Sequence, residues 1–557
     1  MMAGSNCLSV CRFPLRRSLA ERIAPGSASR TEGLHMYAGN RYGQHPDRAA
    51  FVMASTGESV TYAELEQRSN RLAHLLRSDG LRRLHHYAVF MENSNRYLEC
   101  CAAGERSGLY YTCISSYLTA EEVAYIVDNS DSQVLVTSVD KLPVARAAME
   151  HCPQVKRCLV VDGGDAARAL GDARYVDFAD AVSAFPDTPI ADESLGSTML
   201  YSSGTTGRPK GILKPLPENP PSQPRPLLVF LNQLWQCREG MTYLSPAPLY
   251  HVAPLSYAAL TIRNGGTVVI MERYDPEQYL ALVERYRITH TQLVPTMFSR
   301  MLKLPEEVRR RYDLSSLQFA LHGAAPCPVQ VKERMIDWWG PIIHEYYGAT
   351  EGLGMTACNS AEWLAHRGTV GKVVLGELHV MDESMQPVPT GQGGELWFKT
   401  AAPFEYFKDS ERTQASRSAD GTMSTVGDVG YVDADGFVYL TDRSTFMIVS
   451  GGVNVYPQEC ENLLITHPLV ADAAVFGVPN VDLGEEVKAV VQPMPGVVAD
   501  DLFARSLIAF CREHLAPVKC PRSVEFTDQL PRLPTGKLYK RSLRDKYWKG
   551  HGQSRIV

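Results

Sequence analysis

The chain has 557 residues, 45% of them hydrophobic and 21% charged, an ordinary globular balance with length enough for several cores. Its net charge of −6 calls for neither nucleic acid nor an anionic membrane as partner. No apolar run approaches the roughly 18 residues of a membrane-crossing helix, and the 13 cysteines are scattered without a CxxC pair, which argues against a zinc site and fits a reduced, cytoplasmic protein.

Residues 1–35 set Arg12, Arg16, Arg17, Arg22 and Arg30 against only Glu21 and Glu32. Two readings fit, a disordered extension, which the composition favours, and an organelle-targeting segment. Thr61 and Glu64 form a capping-box pair, followed by Leu65, Leu72, Leu75 and Leu76 at helical spacing. A strand at 87–91 and a helix ending near Gly108 come next. Thr119 and Glu122 open a second capped helix that ends near Asn129, and residues 133–137 and 158–162 read as strands. Strands alternating with helices predict an α/β layered fold with a largely parallel sheet. No GxGxxG follows a strand, so a dinucleotide fold has no support.

Residues 197–201 predict a short apolar strand running into YSSGTTGRPKGI. Ser202, Ser203, Thr205 and Thr206 stand there among Gly204, Gly207 and Gly211, with Lys210 near the end. Glycines let backbone N–H groups approach a ligand, and hydroxyls with one lysine suit a polyphosphate. The pattern is not that of P-loop ATPases, because Lys210 is followed by Gly211 and not by Ser or Thr. A flexible linker is the bland alternative; Pro209-Lys210 and the preceding strand argue against it.

The run at 214–226 is proline-rich and predicts a surface loop. His251 precedes a helix of small and apolar residues that includes Tyr257 and Ala258. Residues 265–270 read as a turn and a buried strand, and 319–328 (FALHGAAPCP) as a strand entering a loop with Gly323, Ala324 and Ala325. Residues 343–352 (IHEYYGATEG) carry Tyr347, Gly348, Thr350, Glu351 and Gly352, too polar a run for core. Residues 391–398 and 403–407 show β-type alternation. Asp428 precedes a hairpin signalled by Asp435-Gly436, and taken alone it is equally a turn residue. Arg443, Thr445, Gly451 and Gly452 follow. The remainder reads as a compact α/β unit with helices near 457–465 and 503–513. It ends in a basic tail where Lys537, in PTGK, is by itself one exposed lysine among several.

Taken together, YSSGTTGRPKG, HGAAP, YGATEG, the Asp428 region and LPTGK occur in the order seen in adenylate-forming enzymes, which the chain resembles from about residue 36 to 548. The wording is most similar to actinobacterial fatty-acid or steroid-side-chain CoA ligases. The resemblance implies a large multi-subdomain N-terminal domain with mixed sheets at 36–442 and a small mobile α/β C-terminal domain at 443–557. It implies that the loop from Ser202 to Lys210 holds the phosphates of ATP, that Gly323, Ala324, Ala325 and Tyr347 face adenine, and that Thr350 meets the α-phosphate. Glu351 would hold Mg²⁺, Asp428 and Arg443 the ribose, and Lys537 would be the adenylation lysine. His251, Tyr257, Ala258, Gly348 and Gly352 would border the acyl pocket, and Gly451 and Gly452 the coenzyme A tunnel. Most members carry Asp or Lys at the hinge where this chain has Thr445, a departure that leaves the identity of the pivot open. The implied reaction joins a small-molecule carboxylic acid to coenzyme A at the expense of ATP. Small residues hint at a long or polycyclic acid, and a homodimer is compatible with this reading. Two alternatives stay open: a ligase taking a preformed acyl-adenylate from a partner enzyme, and a non-catalytic nucleotide- or acyl-binding protein.

Overall fold

The computed structural model describes residues 43–202, 209–223, 226–399, 404–443, 446–450, 453–532 and 538–548. The sequence expectations for the N-terminal extension, for Ser203, Gly204, Thr205, Thr206 and Gly207, and for Thr445, Gly451, Gly452 and Lys537 fall outside the described residues.

A six-stranded, wholly parallel sheet is built first. Its order is Tyr175–Asp177, Arg157–Val161, Ser132–Ser138, His86–Phe90, Tyr110–Ile114 and Ser197–Thr198. Successive side chains of a strand point to opposite faces. Tyr87, Val89 and Met91 accordingly enter one core with Leu65, Leu72 and Leu76 of the helix Tyr62–Ser78. Ala88 and Phe90 enter the other with Val123 and Ile126 of Ala120–Asn129. Burial on both faces explains why these strands read as continuous apolar runs. Both capping boxes are formed. The Glu64 N–H donates to Thr61 Oγ1 at 3.2 Å and the Thr61 N–H to Glu64 Oε2 at 2.8 Å. Thr119 and Glu122 repeat the exchange at 3.4 and 2.9 Å.

A nine-stranded mixed sheet carries most of the candidate site. Ala49–Met53, Thr267–Ile270, Thr242–Ser245, His290–Leu293, Phe319–His322 and Ile343–Gly348 run parallel. Ser59–Thr61 adds an antiparallel strand at one edge, and Met355–Cys358 and Lys372–Leu375 two at the other. The strand Ala49–Met53 pairs with Thr267–Ile270, so the whole six-stranded unit lies in sequence between two neighbours of this sheet.

An antiparallel sheet follows, in the order Glu377–Met381, Gly394–Lys399, Asp428–Val432 and Val438–Arg443, with Met423–Ser424 beside it. Its hairpin turns at Asp435-Gly436, as the sequence signalled. Asp433 Oδ1 accepts the N–H groups of Asp435 and Phe437 at 3.0 and 2.8 Å, and Gly436 takes φ +83°.

Residues 197–201 do not form one strand. Ser197–Thr198 pairs with Tyr110–Ile114, whereas Leu200–Ser202 joins a separate three-stranded sheet with Lys210–Leu213 and Glu405–Tyr406. Met199 between them is fully buried and donates its N–H to the Tyr111 carbonyl. A stretch that reads as one strand in sequence therefore hides a change of sheet.

The C-terminal unit is a sheet of Val453–Val455, Ile448–Ser450, Gly484–Pro493, Val470–Asn480 and Ser523–Phe526. Helices Pro457–Thr466 and Asp501–His514 cover one face, and Lys540–Trp548 packs on the other through Leu543. Lys303, at the C-terminal end of the helix Pro295–Leu302, donates to the carbonyls of Val470 and Ala471 at 2.8 and 3.2 Å. The large and small units therefore touch through a charged hydrogen bond. The cysteines among the described residues are free thiols. Among those residues no helix is long and apolar enough to cross a membrane.

Candidate functional site

The site assembles around the turn that follows strand Ile343–Gly348. That strand is buried at its start and emerges at Tyr347 and Gly348, so the residues after it reach the surface of the sheet. The Gly352 N–H closes the turn on the Ala349 carbonyl at 2.9 Å. Thr350 is half-buried, and Glu351 is 8% exposed. A carboxylate so covered needs a hydrogen-bond donor or a cation. Tyr406 supplies the donor: its hydroxyl gives a hydrogen bond to Glu351 Oε1 at 2.9 Å.

Two lysines lie beside these residues, Lys210 against the Tyr406 ring and Lys214, just past the end of strand Lys210–Leu213, on the turn itself. Lys210 is the backbone partner of Ser202, so these two half-buried residues mark the base from which the Gly/Ser/Thr loop springs. Lys210 Nζ lies 4.8 Å from the ring centroid of Tyr406, within the range where an aromatic face attracts an ammonium. Lys214 Nζ donates to the Thr350 carbonyl at 3.0 Å. It stands where a side chain on Gly352 would clash, 2.9 Å from that position, and Gly352 has φ +76° besides. The positive φ is what favours glycine here, since the end of the lysine side chain could move aside.

On the other side, the Tyr347 hydroxyl donates to Asp428 Oδ2 at 2.7 Å. Asp428 opens the hairpin strand Asp428–Val432 and is 8% exposed. Its backbone partner across the hairpin is Arg443. The antiparallel register thus brings together two residues 15 positions apart that the resemblance assigned to one ribose.

Gly323, Ala324 and Ala325 leave the end of the neighbouring parallel strand Phe319–His322. Gly323 is buried against Tyr346, whose ring would lie 2.6 Å from a Cβ there, and Ala324 adopts φ +69°, a left-handed conformation uncommon outside glycine. Beneath this loop sits a buried ionic cluster. Lys332, on the helix Val329–Trp339, pairs with Glu345 and lies 4.8 Å from the centroid of Trp363. Burial raises the Glu345 pKa while the Lys332 charge opposes that rise. Burial, with Lys332 nearby, holds His322 well below the usual histidine range. Breaking such a pair from one side is costly, because the remaining charge stays buried. The cluster ties the helix and the two strands that carry the candidate nucleotide residues.

The expected acyl-side residues are divided. His251, half-buried, holds the N-cap position of helix Val252–Arg263, with its ring 4.3 Å from that of Tyr250. Gly348 is exposed at the end of its strand. Tyr257 and Ala258 are fully buried. The Tyr257 ring is stacked between Trp235 at 4.9 Å and Tyr243 at 4.4 Å, and its hydroxyl donates to the Trp235 carbonyl at 3.1 Å.

Tyr406 and Lys214 were not singled out in the sequence. Tyr406 lies in a segment that shows only β alternation, and Lys214 opens the proline-rich run that reads as a surface loop. Neither has a local signal for the turn at 349–352, because both reach it through strand pairing. The donor set fits a cation shared with phosphate. Among the described residues no three His, Cys, Asp or Glu side chains converge. Mg²⁺ is commonly held by one or two carboxylates together with substrate phosphates, a role Glu351 suits.

A multi-sheet α/β unit whose sequence carries a Gly/Ser/Thr loop, a Thr-Glu turn and a nearly buried aspartate at the start of a hairpin, followed by a small α/β unit, defines the class of two-part nucleotide-activating enzymes. The sequence places the chain within that class. Residues 40–406 match the model of the AMP-binding enzyme family and residues 459–537 that of the AMP-binding enzyme C-terminal domain, and the chain belongs to this family. It is 32% identical over 530 residues to a feruloyl-CoA synthase of Amycolatopsis sp, covering 93% of this chain and 100% of that protein. It is 33% identical over 515 residues to the 3-[(3aS,4S,7aS)-7a-methyl-1,5-dioxo-octahydro-1H-inden-4-yl]propanoyl:CoA ligase of Rhodococcus jostii, covering 87% and 94%. Among solved structures it resembles the o-succinylbenzoate CoA synthetase of Bacillus subtilis in complex with its acyl-adenylate, with a TM-score of 0.73 and 25% identity over 91% of this chain and 98% of that one.

Proposed function

We propose that the protein is an AMP-forming acyl-CoA ligase. The observation that carries this reading is that Tyr406 joins Glu351 of the turn at 349–352 to Lys210, and that Tyr347, just before that turn, holds Asp428, in a chain whose family relatives are named CoA ligases over nearly their whole length. The substrates are MgATP, a carboxylic acid and coenzyme A. In the first half-reaction the acid's carboxylate attacks the α-phosphorus, pyrophosphate leaves, and an acyl-adenylate results. In the second the thiol attacks the acyl carbon and AMP leaves.

Carboxylate and triphosphate repel each other, so the first half requires positive charge where negative charge gathers. Lys210 and the loop from Ser202 through Ser203, Gly204, Thr205, Thr206 and Gly207 bind the departing phosphates. Thr350 donates to the α-phosphate and Lys537 contributes the second ammonium. Mg²⁺, bound at Glu351, supplies charge neutralisation. Asp428, as an ionised acceptor, takes both ribose hydroxyls, with Arg443 beside it, and Tyr347, Gly323, Ala324 and Ala325 face adenine. His251, Gly348 and Gly352 border the acyl group, Tyr257 and Ala258 being core residues instead, and Gly451 and Gly452 border the pantetheine arm. The working units are 36–442 and 443–557, pivoting near Thr445, in the cytoplasm. The acid is a ring-bearing or long-chain one, in keeping with the feruloyl and fused-ring acids in the names of the two relatives.

The test is release of AMP and pyrophosphate from MgATP with a panel of carboxylic acids, with and without coenzyme A. The expected result is AMP and a CoA thioester, with Lys537→Ala lowering the rate of adenylate formation by about 10²–10³ and sparing thioester formation from a synthetic acyl-adenylate. Release of ADP overturns the reading. Thioester made only from preformed adenylate replaces it with a second-half enzyme.

A further inference from the structure

We propose that Tyr406 is a positioning residue that orients Glu351 and biases it toward ligation through one oxygen, thereby setting a preference for Mg²⁺ over Ca²⁺ at the nucleotide. This inference rests on the acyl-adenylation reading and adds a residue that the reading does not use. Tyr406 is 6% exposed and belongs to the two-residue strand Glu405–Tyr406, zipped to Ile212 and Leu213. The Phe407 N–H donates to the Gly211 carbonyl at 2.8 Å, and the Tyr406 N–H to Thr413 Oγ1 at 3.0 Å. Phe404 packs edge-on at 5.4 Å. The ring is therefore fixed by backbone pairing and packing, with its hydroxyl against Glu351 and its face toward Lys210. One side chain thus joins the lysine at the foot of the phosphate loop to the carboxylate proposed for the metal.

The chemistry follows from how a carboxylate accepts. An ionised glutamate offers two oxygens and can use both on one cation. The phenol takes one lone pair of Oε1 and fixes the plane of the carboxylate, which makes Oε2 the freer ligand atom and two-oxygen ligation less favourable. Mg²⁺ demands near-octahedral geometry and is content with single-oxygen carboxylate ligands. Ca²⁺ takes six to eight oxygens and readily binds a carboxylate through both. A glutamate restrained by a buried donor favours the smaller ion. The ring face acts separately: an aromatic surface below Lys210 keeps the ammonium near the loop, which bears on the phosphates whether or not a metal is present.

These two parts of Tyr406 can be taken apart by substitution. Calorimetric dissociation constants for ATP in Mg²⁺, in Ca²⁺ and in EDTA are compared for the wild-type chain, Tyr406→Phe, Tyr406→Leu, Glu351→Gln and Tyr406→Phe/Glu351→Gln, with melting temperatures recorded alongside. Tyr406→Phe keeps the ring, so its affinity in EDTA stays at the wild-type value while the Mg²⁺-over-Ca²⁺ preference falls about tenfold, the loss expected of one hydrogen bond to a charged group. In the Glu351→Gln background, Tyr406→Phe changes the preference no further, since the hydroxyl acts through that carboxylate. Tyr406→Leu also weakens binding in EDTA. If Tyr406→Leu does not fold, Tyr406→Phe decides alone. A wild-type preference in Tyr406→Phe overturns the proposal and leaves the adenylation reading standing. Absence of nucleotide binding by the wild-type chain overturns both.

Discussion

At the scale of single residues, the candidate site depends on side chains that are nearly buried yet charged, and each has a named donor. Asp428 accepts from Tyr347 and Glu351 from Tyr406. Hydrogen bonds to charged groups contribute about 1.5–3 kcal/mol, so losing one reads as a large change in ligand affinity. Asp428→Ala is expected to raise the KM for ATP roughly 10–100-fold while leaving the KM for the acid near its wild-type value. Initial rates against ATP at saturating acid and coenzyme A provide the check. A parallel rise in both constants would place Asp428 in support of the whole fold rather than at the nucleotide. The sequence pointed to both carboxylates through the company they keep, YGATEG and the segment before the Asp-Gly hairpin. The resemblance assigned Tyr347 to adenine and nothing singled out Tyr406; neither pairing was legible, because Tyr406 lies 55 residues from Glu351 and Tyr347 lies 81 from Asp428.

At the scale of elements, backbone closeness limits what the site's supports tolerate. Gly430 sits in the strand that begins at Asp428, beside a register shift between Val429 and Gly430, and a Cβ there would lie 2.3 Å from the Tyr439 carbonyl oxygen. Backbone cannot swing aside as a flexible side chain can. Gly430→Ala is therefore expected to spread the hairpin Asp428–Val432/Val438–Arg443, costing on the order of 1–3 kcal/mol of stability and moving Asp428 relative to its hairpin partner. A lower denaturant midpoint together with weaker ATP binding checks this, and an unchanged midpoint contradicts it. Elements with local chemistry were legible in advance: both capping boxes, the Asp435-Gly436 turn and the strand entering HGAAP all form as read. The run at 197–201 was not, because strand-like residues report burial and do not say which sheet does the burying.

At the scale of the whole molecule, the sheets enclose histidines that stay neutral. Burial lowers His86 and His290 to about 4 from an ordinary 6.5, with Arg238 adding to the effect at His290. Between pH 6.5 and about 4 the unfolded chain binds protons at these positions that the folded chain refuses. Stability is therefore complete above pH 6.5 and declines as pH falls toward 4, each histidine contributing on the order of 1–3 kcal/mol. The melting temperature is expected to fall from pH 7 to pH 5, and His290→Gln to flatten that dependence. A melting temperature constant over this range would mean that the two rings are accessible to protons in the native state.

Sequence alone determined the alternation of strands and helices, the capped helix starts, the Asp-Gly hairpin and the order of the motifs that mark the family. Those features are local: each is written within a few residues by periodicity, by a side chain that caps its own helix, or by a glycine that a turn demands. Only the tertiary structure decided that residues 197–202 divide between two sheets, that Tyr257 is sealed in an aromatic stack, and that Lys214 and Tyr406 converge on the turn at 349–352. These are pairings between distant segments. They are set by strand register and by which buried surfaces meet, and no short stretch of sequence contains that information.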